Sequence, residues 1–375
     1  MRVLLLSPLP PPVGGIASWT LNILQYYSTE KKIASDMEVI HQNTALKSRS
    51  VTEINLFSRI FSGVKDGLRN FFIFFYYLIK YKPDIVHLTS SGSFGLFKDI
   101  LFGIVAKLLG IPFIIHFRFG RIPELYLKKN WEWRLLKKVI DLSSSVIVLD
   151  IETYSTLSIN HFNNIHLVPN PMSLMVERKM DKLIDRSKLN QNFFNIIFVG
   201  HVIENKGIFE LVEAFSHLNN VDELVVIGPF ETEIKEQLIN LSGSKSKKLR
   251  FTGALEKDQV LVEMERAKLL ILPSYTEGFP NVIIEAMAMK CPVIATNVGA
   301  IPNMLNNGSN QPAGLVIKPK SVEALIDAIN FMISNPDQAE NFTYNAFLKV
   351  KSEYTLEKVC DQYENIWKNC VNREI

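Results

Sequence analysis

Short apolar runs alternate with amphipathic helical stretches from one end of the 375-residue chain to the other. A run of about four to six apolar residues marks a strand buried on both faces, and the helices between such strands supply the crossovers a parallel sheet requires. Strands are expected at 3–7, 85–88, 113–117, 145–149 and 166–168 in the first half, and at 195–199, 224–227, 250–252, 269–272 and 293–295 in the second. Between the first two strands, Ile16, Trp19, Ile23, Leu24 and Tyr27 recur at helical spacing, and 71–79 reads as an aromatic-rich helix. Residues 208–218 and 282–289 read as helices of the second half. The fold class that follows is α/β with parallel sheets.

The rhythm breaks once. Pro169-Asn170-Pro171 is followed by a polar, charge-rich stretch over 177–191, and apolar residues resume at Phe193. Two Rossmann-like domains are expected, an N-terminal one over 1–172 and a C-terminal one over 193–355, joined by a linker over 173–192. Val359, Tyr363, Ile366 and Trp367 lie at helical spacing in the last segment, so 356–375 is expected to pack an apolar stripe back on the first domain. With 47% hydrophobic and 21% charged residues the chain has material for two cores at about 100–200 residues each, which excludes disorder as the main state.

Cys291, Cys360 and Cys370 form no CxxC pair and are too scattered for a disulfide framework, which points to a reducing, cytoplasmic setting. The apolar run 3–6 is short and ends in Pro8, Pro10, Pro11 and Pro12, so it reads as a first strand and not as a signal peptide. No membrane span is expected, because 71–79 stops at Lys80 and 96–117 is broken by Lys98, Asp99 and Lys107. The net charge of +3 hides an asymmetry: residues 1–185 hold 22 Lys and Arg against 15 Asp and Glu, and residues 186–375 hold 19 against 23. The N-terminal half can therefore lie against an anionic partner. No nucleic-acid partner is expected.

Four segments carry candidate chemistry. Gly14 and Gly15 follow Pro10–Val13 at the turn from the first strand to the helix near Ile16, where free amides favour phosphate; a glycine turn without a ligand would look the same. A second strand-to-helix loop, Val199-Gly200-His201-Val202-Ile203-Glu204-Asn205-Lys206-Gly207, brings His201 and Lys206 beside another helix start, a combination suited to a diphosphate; alone, Lys206 would read as a solvated lysine. The third segment runs from Pro273 to Ala288. Glu277 lies in the loop after a strand, Asn281 is expected to cap the following helix, and Glu285 falls about two turns along it. Flanked by Ile284 and Ala286, Glu285 needs hydrogen-bond donors, and sugar or ribose hydroxyls are natural ones.

In the fourth segment His116 stands near the carboxyl end of a strand, where open α/β sheets bind ligands, followed by Arg118 and Arg121, which could hold an acceptor phosphate. His116 is a candidate donor to a substrate hydroxyl or carbonyl, against the alternative of a satisfied core histidine, the reading given to His87.

In this order the segments resemble the retaining, nucleotide-sugar-dependent glycosyltransferases of family 4, whose GT-B fold has two facing Rossmann-like domains with a cleft between them. The most specific element is the pair Glu277 and Glu285 within EGFPNVIIEAMAMKCPVIATNVGAIPNML, supported by VGHVIENKG and the two N-terminal glycines. The resemblance implies that Glu277 and the backbone of Gly278, Phe279, Pro280 and Asn281 hold the donor sugar. It implies that Glu285 binds ribose hydroxyls, that Lys206 and the Gly15 amide meet the diphosphate with the Val282 and Ile283 amides extending that cradle, and that His116 approaches the sugar. Base contacts would come from the backbone near Thr252-Gly253-Ala254.

One departure stands out. The family usually has arginine five residues before the lysine, and here that position is His201. An imidazole gives up the permanent charge and fork of a guanidinium, so a His201-dependent activity would fall as pH rises through the imidazole pKa. No DxD-type carboxylate pair occurs in the motif loops, so no metal cofactor is expected; Lys206, amides and His201 would stabilise the leaving group.

The resemblance implies a hexosyltransferase acting with retention, with UDP-sugars as the donor class by family frequency and a saccharide or lipid-linked saccharide acceptor in O-antigen, capsule or exopolysaccharide assembly. A sugar-nucleotide epimerase or hydrolase on the same fold, and a non-catalytic nucleotide-sugar binding protein, are the alternatives. The binding protein would have no use for Lys206 or His116. The helix at 71–79, bracketed by Arg69, Lys80 and Lys82, suits peripheral attachment to the anionic inner face of the cytoplasmic membrane, while aromatics on nearly every side favour a core helix.

Overall fold

The computed structural model describes residues 1–11, 14–29, 37–45, 56–160, 162–186, 193–306 and 308–372, with the side chains of 56–65 excepted. It separates into two compact units, Met1–Pro171 with Leu356–Ile375, and Met172–Thr355.

In the first unit β1 (Arg2–Ser7), β2 (Glu38–Asn43), β3 (Ile85–Ser90), β4 (Phe113–Phe117), β5 (Ser145–Val148) and β6 (Ile165–Leu167) form one sheet in the order β2-β1-β3-β4-β5-β6. Every pairing is parallel. β3, β4 and β5 are buried along their whole length, as strands with helices on both faces must be. The order in which the chain adds strands reverses between β1 and β3, so the carboxyl ends of these two flank the sheet's switch point.

The C-terminal helix Leu356–Asn372 belongs to this unit and lays Val359, Tyr363, Ile366 and Trp367 inward. Its polar edges bond across: Trp19 Nε1 donates to Tyr363 Oη (3.2 Å), Trp367 Nε1 to His87 Nδ1 (3.0 Å), and Tyr27 Oη to Glu364 Oε1 (3.2 Å).

The helix Leu56–Tyr81 has two characters. Phe74 and Leu78 are fully buried on one side, yet Phe72, Phe75, Tyr76 and Ile79 are exposed on the other. Burial all round, which the ring of aromatics favoured, is therefore not the outcome: a single sheet face can cover only one stripe of a helix.

The second unit repeats the architecture with β7 (Asn195–Val199), β8 (Glu223–Ile227), β9 (Leu249–Gly253), β10 (Leu269–Leu272), β11 (Val293–Thr296) and β12 (Leu315–Ile317), ordered β12-β11-β10-β7-β8-β9 and all parallel. Its switch point lies between β7 and β10. Helix Leu174–Met180, inside the stretch read as a linker, buries Val176 and Met180 in this unit's core, while residues 187–192 of that stretch lie outside the described residues. The α/β class and the parallel sheets agree with the sequence pattern. β2 and β12 were not anticipated; both are edge strands with half-exposed residues, β2 mixing polar residues among its apolar ones and β12 being a run of only three residues, Leu315-Val316-Ile317.

Candidate functional site

In the second unit the loops after β7 and β10 emerge side by side at the switch point, and glycines let them touch. Gly207 adopts φ 68° and a Cβ there would lie 2.1 Å from the carbonyl oxygen of Pro273. Gly299, at φ 55°, comes as near to the next turn of chain: its Cβ would lie 2.2 Å from the carbonyl oxygen of Glu277. No L side chain fits at either position. The loops are tied further by Tyr275 N donating to Asn205 O (3.0 Å) and Ala300 N to Gly278 O (2.9 Å).

This close approach brings together Lys206 and Glu277, 71 residues apart in the chain, as an ion pair of 2.6 Å. Glu277 Oε1 also accepts from Ser274 Oγ at 2.7 Å, and the Ser274 carbonyl accepts from Thr296 Oγ1 at 2.6 Å. The carboxylate is thus fixed from the β10 and β11 ends, with its Oε2 oxygen bearing no hydrogen bond among the described residues. His201 is exposed on the β7 loop, and its side chain has no partner among the described residues.

Glu277 leads into helix Asn281–Ala288. Asn281 is its first residue and not its cap; Pro280 holds the cap position in extended conformation and makes no side-chain cap bond. A proline ring can accept nothing, so the first turn keeps donors for an acceptor from elsewhere. Val282 and Ile283 follow in that turn, although the Ile283 amide is already bonded to Pro280 O at 3.1 Å. The Phe279 ring packs against Tyr354 (centroids 6.0 Å apart).

Glu285 is largely buried, and its partner is one the sequence reading missed: the ammonium of Lys257, from the start of helix Lys257–Arg266. Lys257 is half-exposed and free to yield to another donor. Gly253 closes β9 at φ 72°, with its carbonyl accepting from Gly228 N (2.9 Å).

In the first unit Gly14 precedes helix Gly15–Tyr27, whose first turn has neither a side-chain cap nor an acidic residue. Nothing among the described residues lies within 4 Å of a Cβ built on Gly14 or Gly15, so none of them requires glycine there. Pro12 and Val13 of this loop lie outside the described residues.

His116 does not end its strand. It is the fourth of five residues in β4, fully buried, with Nδ1 3.2 Å from His87 Nε2 and its ring edge-on to Trp19. Burial and the nearby Arg118 charge hold it well below the ordinary histidine pKa, and His87 falls to about 3, chiefly through burial. A donor to substrate needs a reachable atom, and His116 offers none; the side chain that leaves β4 on the same face, two residues on, is Arg118. Arg121 is occupied as well: its guanidinium bonds both oxygens of buried Glu132, at 2.7 and 3.2 Å, and Ser93 Oγ at 2.9 Å. Glu132, eleven residues on in the first turn of helix Trp131–Leu142, gave no sequence signal for this pairing.

Among the described residues no group of three or more His, Cys, Asp or Glu could hold a metal ion, and no helix is long and apolar enough to cross a membrane.

Comparison with known proteins bears on this arrangement. TuaC of Bacillus subtilis strain 168, a glycosyltransferase whose name assigns it to teichuronic acid biosynthesis, is 32% identical over 179 residues, 47% of this chain and 43% of that protein. The chain spans about half the length of the curated relatives it matches. The fold matches sucrose-phosphate synthase from Thermosynechococcus elongatus with a TM-score of 0.72 at 18% identity, covering 98% of each chain. It matches Anabaena Alr3699/HepE in complex with UDP with a TM-score of 0.71 at 16% identity, covering 98% of this chain and 100% of that one. The family described as glycosyl transferases group 1 matches residues 146–349, which hold the Lys206–Glu277 pair, Glu285 and the whole second sheet, and the chain belongs to that family.

Proposed function

We propose that the protein transfers a hexose from a nucleotide sugar, with UDP-sugars as the donor class, to a saccharide or lipid-linked saccharide acceptor with retention of anomeric configuration, in surface-polysaccharide assembly. The observation that carries this reading is Lys206 paired to Glu277 at the switch point, beside the uncapped start of helix Asn281–Ala288. The likeness to TuaC and to the UDP complex of HepE supports the pathway and the donor class.

Lys206 is held by a carboxylate until a donor enters. Glu277 then exchanges the ammonium for sugar hydroxyls, and Lys206, with the first-turn amides, faces the diphosphate. The bond from the anomeric carbon to the phosphate oxygen breaks while the bond to the acceptor oxygen forms on the same face. The acceptor proton passes to the departing phosphate. Fixed positive charge aimed at that leaving group is the main rate-enhancing device, and it requires no metal. His201, exposed on the same loop, adds an imidazole donor. Glu285 turns from Lys257 to the ribose hydroxyls. Peripheral attachment to an anionic membrane surface belongs to the same reading, supported by the exposed apolar face of helix Leu56–Tyr81 beside Lys80 and Lys82.

Calorimetric titration of UDP, GDP and ADP, with and without magnesium, tests the donor site. We expect one nucleotide, UDP, to bind equally well without metal, and Glu285→Ala to weaken it by about tenfold or more, the worth of one or two hydrogen bonds to a charged group. Binding by none of the three would withdraw the site.

A further inference from the structure

Arg118 follows β4 at the carboxyl end of the first sheet, with its amide still bonded to Ser90 O at 2.9 Å. Its guanidinium rests 4.7 Å from the Trp19 ring centroid, and Nη1 lies 3.2 Å from His116 Nε2. Nε is buried with no hydrogen-bond partner, and no carboxylate pairs with this arginine among the described residues. An arginine so placed is costly, because a guanidinium out of water needs a counter-charge. Burial lowers its pKa to about 10, which leaves it charged at neutral pH.

The hydrogen bonds behind it make the deficit explicit. Trp367 Nε1, fully buried, is a donor only, so His87 Nδ1 accepts and His87 carries its proton on Nε2. That proton goes to His116 Nδ1, which leaves a neutral His116 with its proton on Nε2. Arg118 Nη1 is a donor as well, so Nε2–H faces N–H and one donor at this end lacks an acceptor. Tyr363 Oη, which already accepts from Trp19 Nε1, adds a further hydroxyl proton to the same cluster. The cluster is a row of donors that ends at the carboxyl edge of the sheet with no acceptor of its own.

We propose that Arg118 is an anion-recognition residue of the first unit, built to bind an oxyanion of the substrate, a sugar carboxylate or a phosphate, through Nη2 of its guanidinium, which makes no hydrogen bond among the described residues and, unlike Nε, is not buried. The planar fork suits either group, and Trp19 fixes the plane. Only the identity of the molecule that brings the oxyanion rests on the glycosyl-transfer reading.

The test uses the full chain labelled with 15N-arginine, with the Arg118 Nε–H signal assigned by its loss in Arg118→Lys. Sodium phosphate, methyl glucuronide and the neutral methyl glucoside are titrated separately. A saturable shift with phosphate alone assigns a phosphate, with glucuronide alone a carboxylate, and with both a general oxyanion site; Arg118→Lys should weaken the effective ligand about tenfold, since an ammonium lacks the fork. No shift with either anion, or an equal shift with the glucoside, overturns the proposal. Melting of Arg118→Met in anion-free buffer gives a second readout: an uncompensated charge predicts no loss of Tm, whereas a drop of several degrees would make the arginine a packing element and also overturn the proposal. Nucleotide titration of the second unit's site is independent, so failure of one reading leaves the other standing.

Discussion

Single residues divide here into those fixed by the protein and those left open. Gly207 and Gly299 combine positive φ with backbone oxygen about 2 Å from where a Cβ would stand. Gly299→Ala is therefore expected to cost roughly 2 kcal/mol or more and to pull the Glu277 loop out of register with Lys206. Gly15 opens a helix in empty space, so Gly15→Ala should leave stability unchanged within about 0.5 kcal/mol. Urea titrations of the two variants, with nucleotide affinity measured beside them, check the contrast; equal destabilisation would refute it.

At the scale of elements, the first unit's centre is a contact of β3, β4, the first helix and the C-terminal helix through His87, His116, Trp19, Tyr363 and Trp367. Both histidines are buried and their pKa values depressed, His87 to about 3. The unfolded chain takes up protons near the ordinary histidine pKa of about 6.5, while the folded one does not. Their contribution to stability is complete above that pH and is lost as pH falls toward the folded pKa, at about 1.4 kcal/mol per pH unit for each histidine. Tryptophan-monitored urea unfolding at pH 7 and pH 4.5 should show this loss, and His87→Asn should make it shallower. An unchanged slope would show that carboxylates alone govern the acid limb.

At the scale of the whole molecule, the surplus of basic residues in the first half and the exposed apolar face suggest one surface property. Phe72, Phe75 and Ile79 on helix Leu56–Tyr81, with Leu108 and Leu109 at the end of helix Gly95–Leu108, stand out of the first unit. Phe75, Ile79, Lys82 and Leu109 line a common groove of about 440 Å³. Burying such side chains in an interface would gain about 1.5–3 kcal/mol each at full burial, with lysines adding attraction to anionic headgroups. The protein is expected to sediment with anionic vesicles at low salt and to be released as salt rises. Phe72→Ser with Ile79→Ser should weaken sedimentation about tenfold or more, and indifference to lipid charge would refute the electrostatic part.

The sequence by itself determined the elements and the order of the motif loops, because local periodicity and the residues at strand ends are properties of neighbours along the chain. It reported ten of the strands and missed two edge strands, β2 because polar residues interrupt its apolar ones and β12 because its apolar run is only three residues long. What the tertiary structure decided was pairing. Packing sets Lys206 against Glu277 and Lys257 against Glu285, commits Arg121 to Glu132, buries His116 behind Arg118, and leaves that arginine without a carboxylate partner among the described residues. These pairings depend on which residues the packed elements make neighbours, and a solvated or paired side chain reads the same along the chain until its neighbours are known.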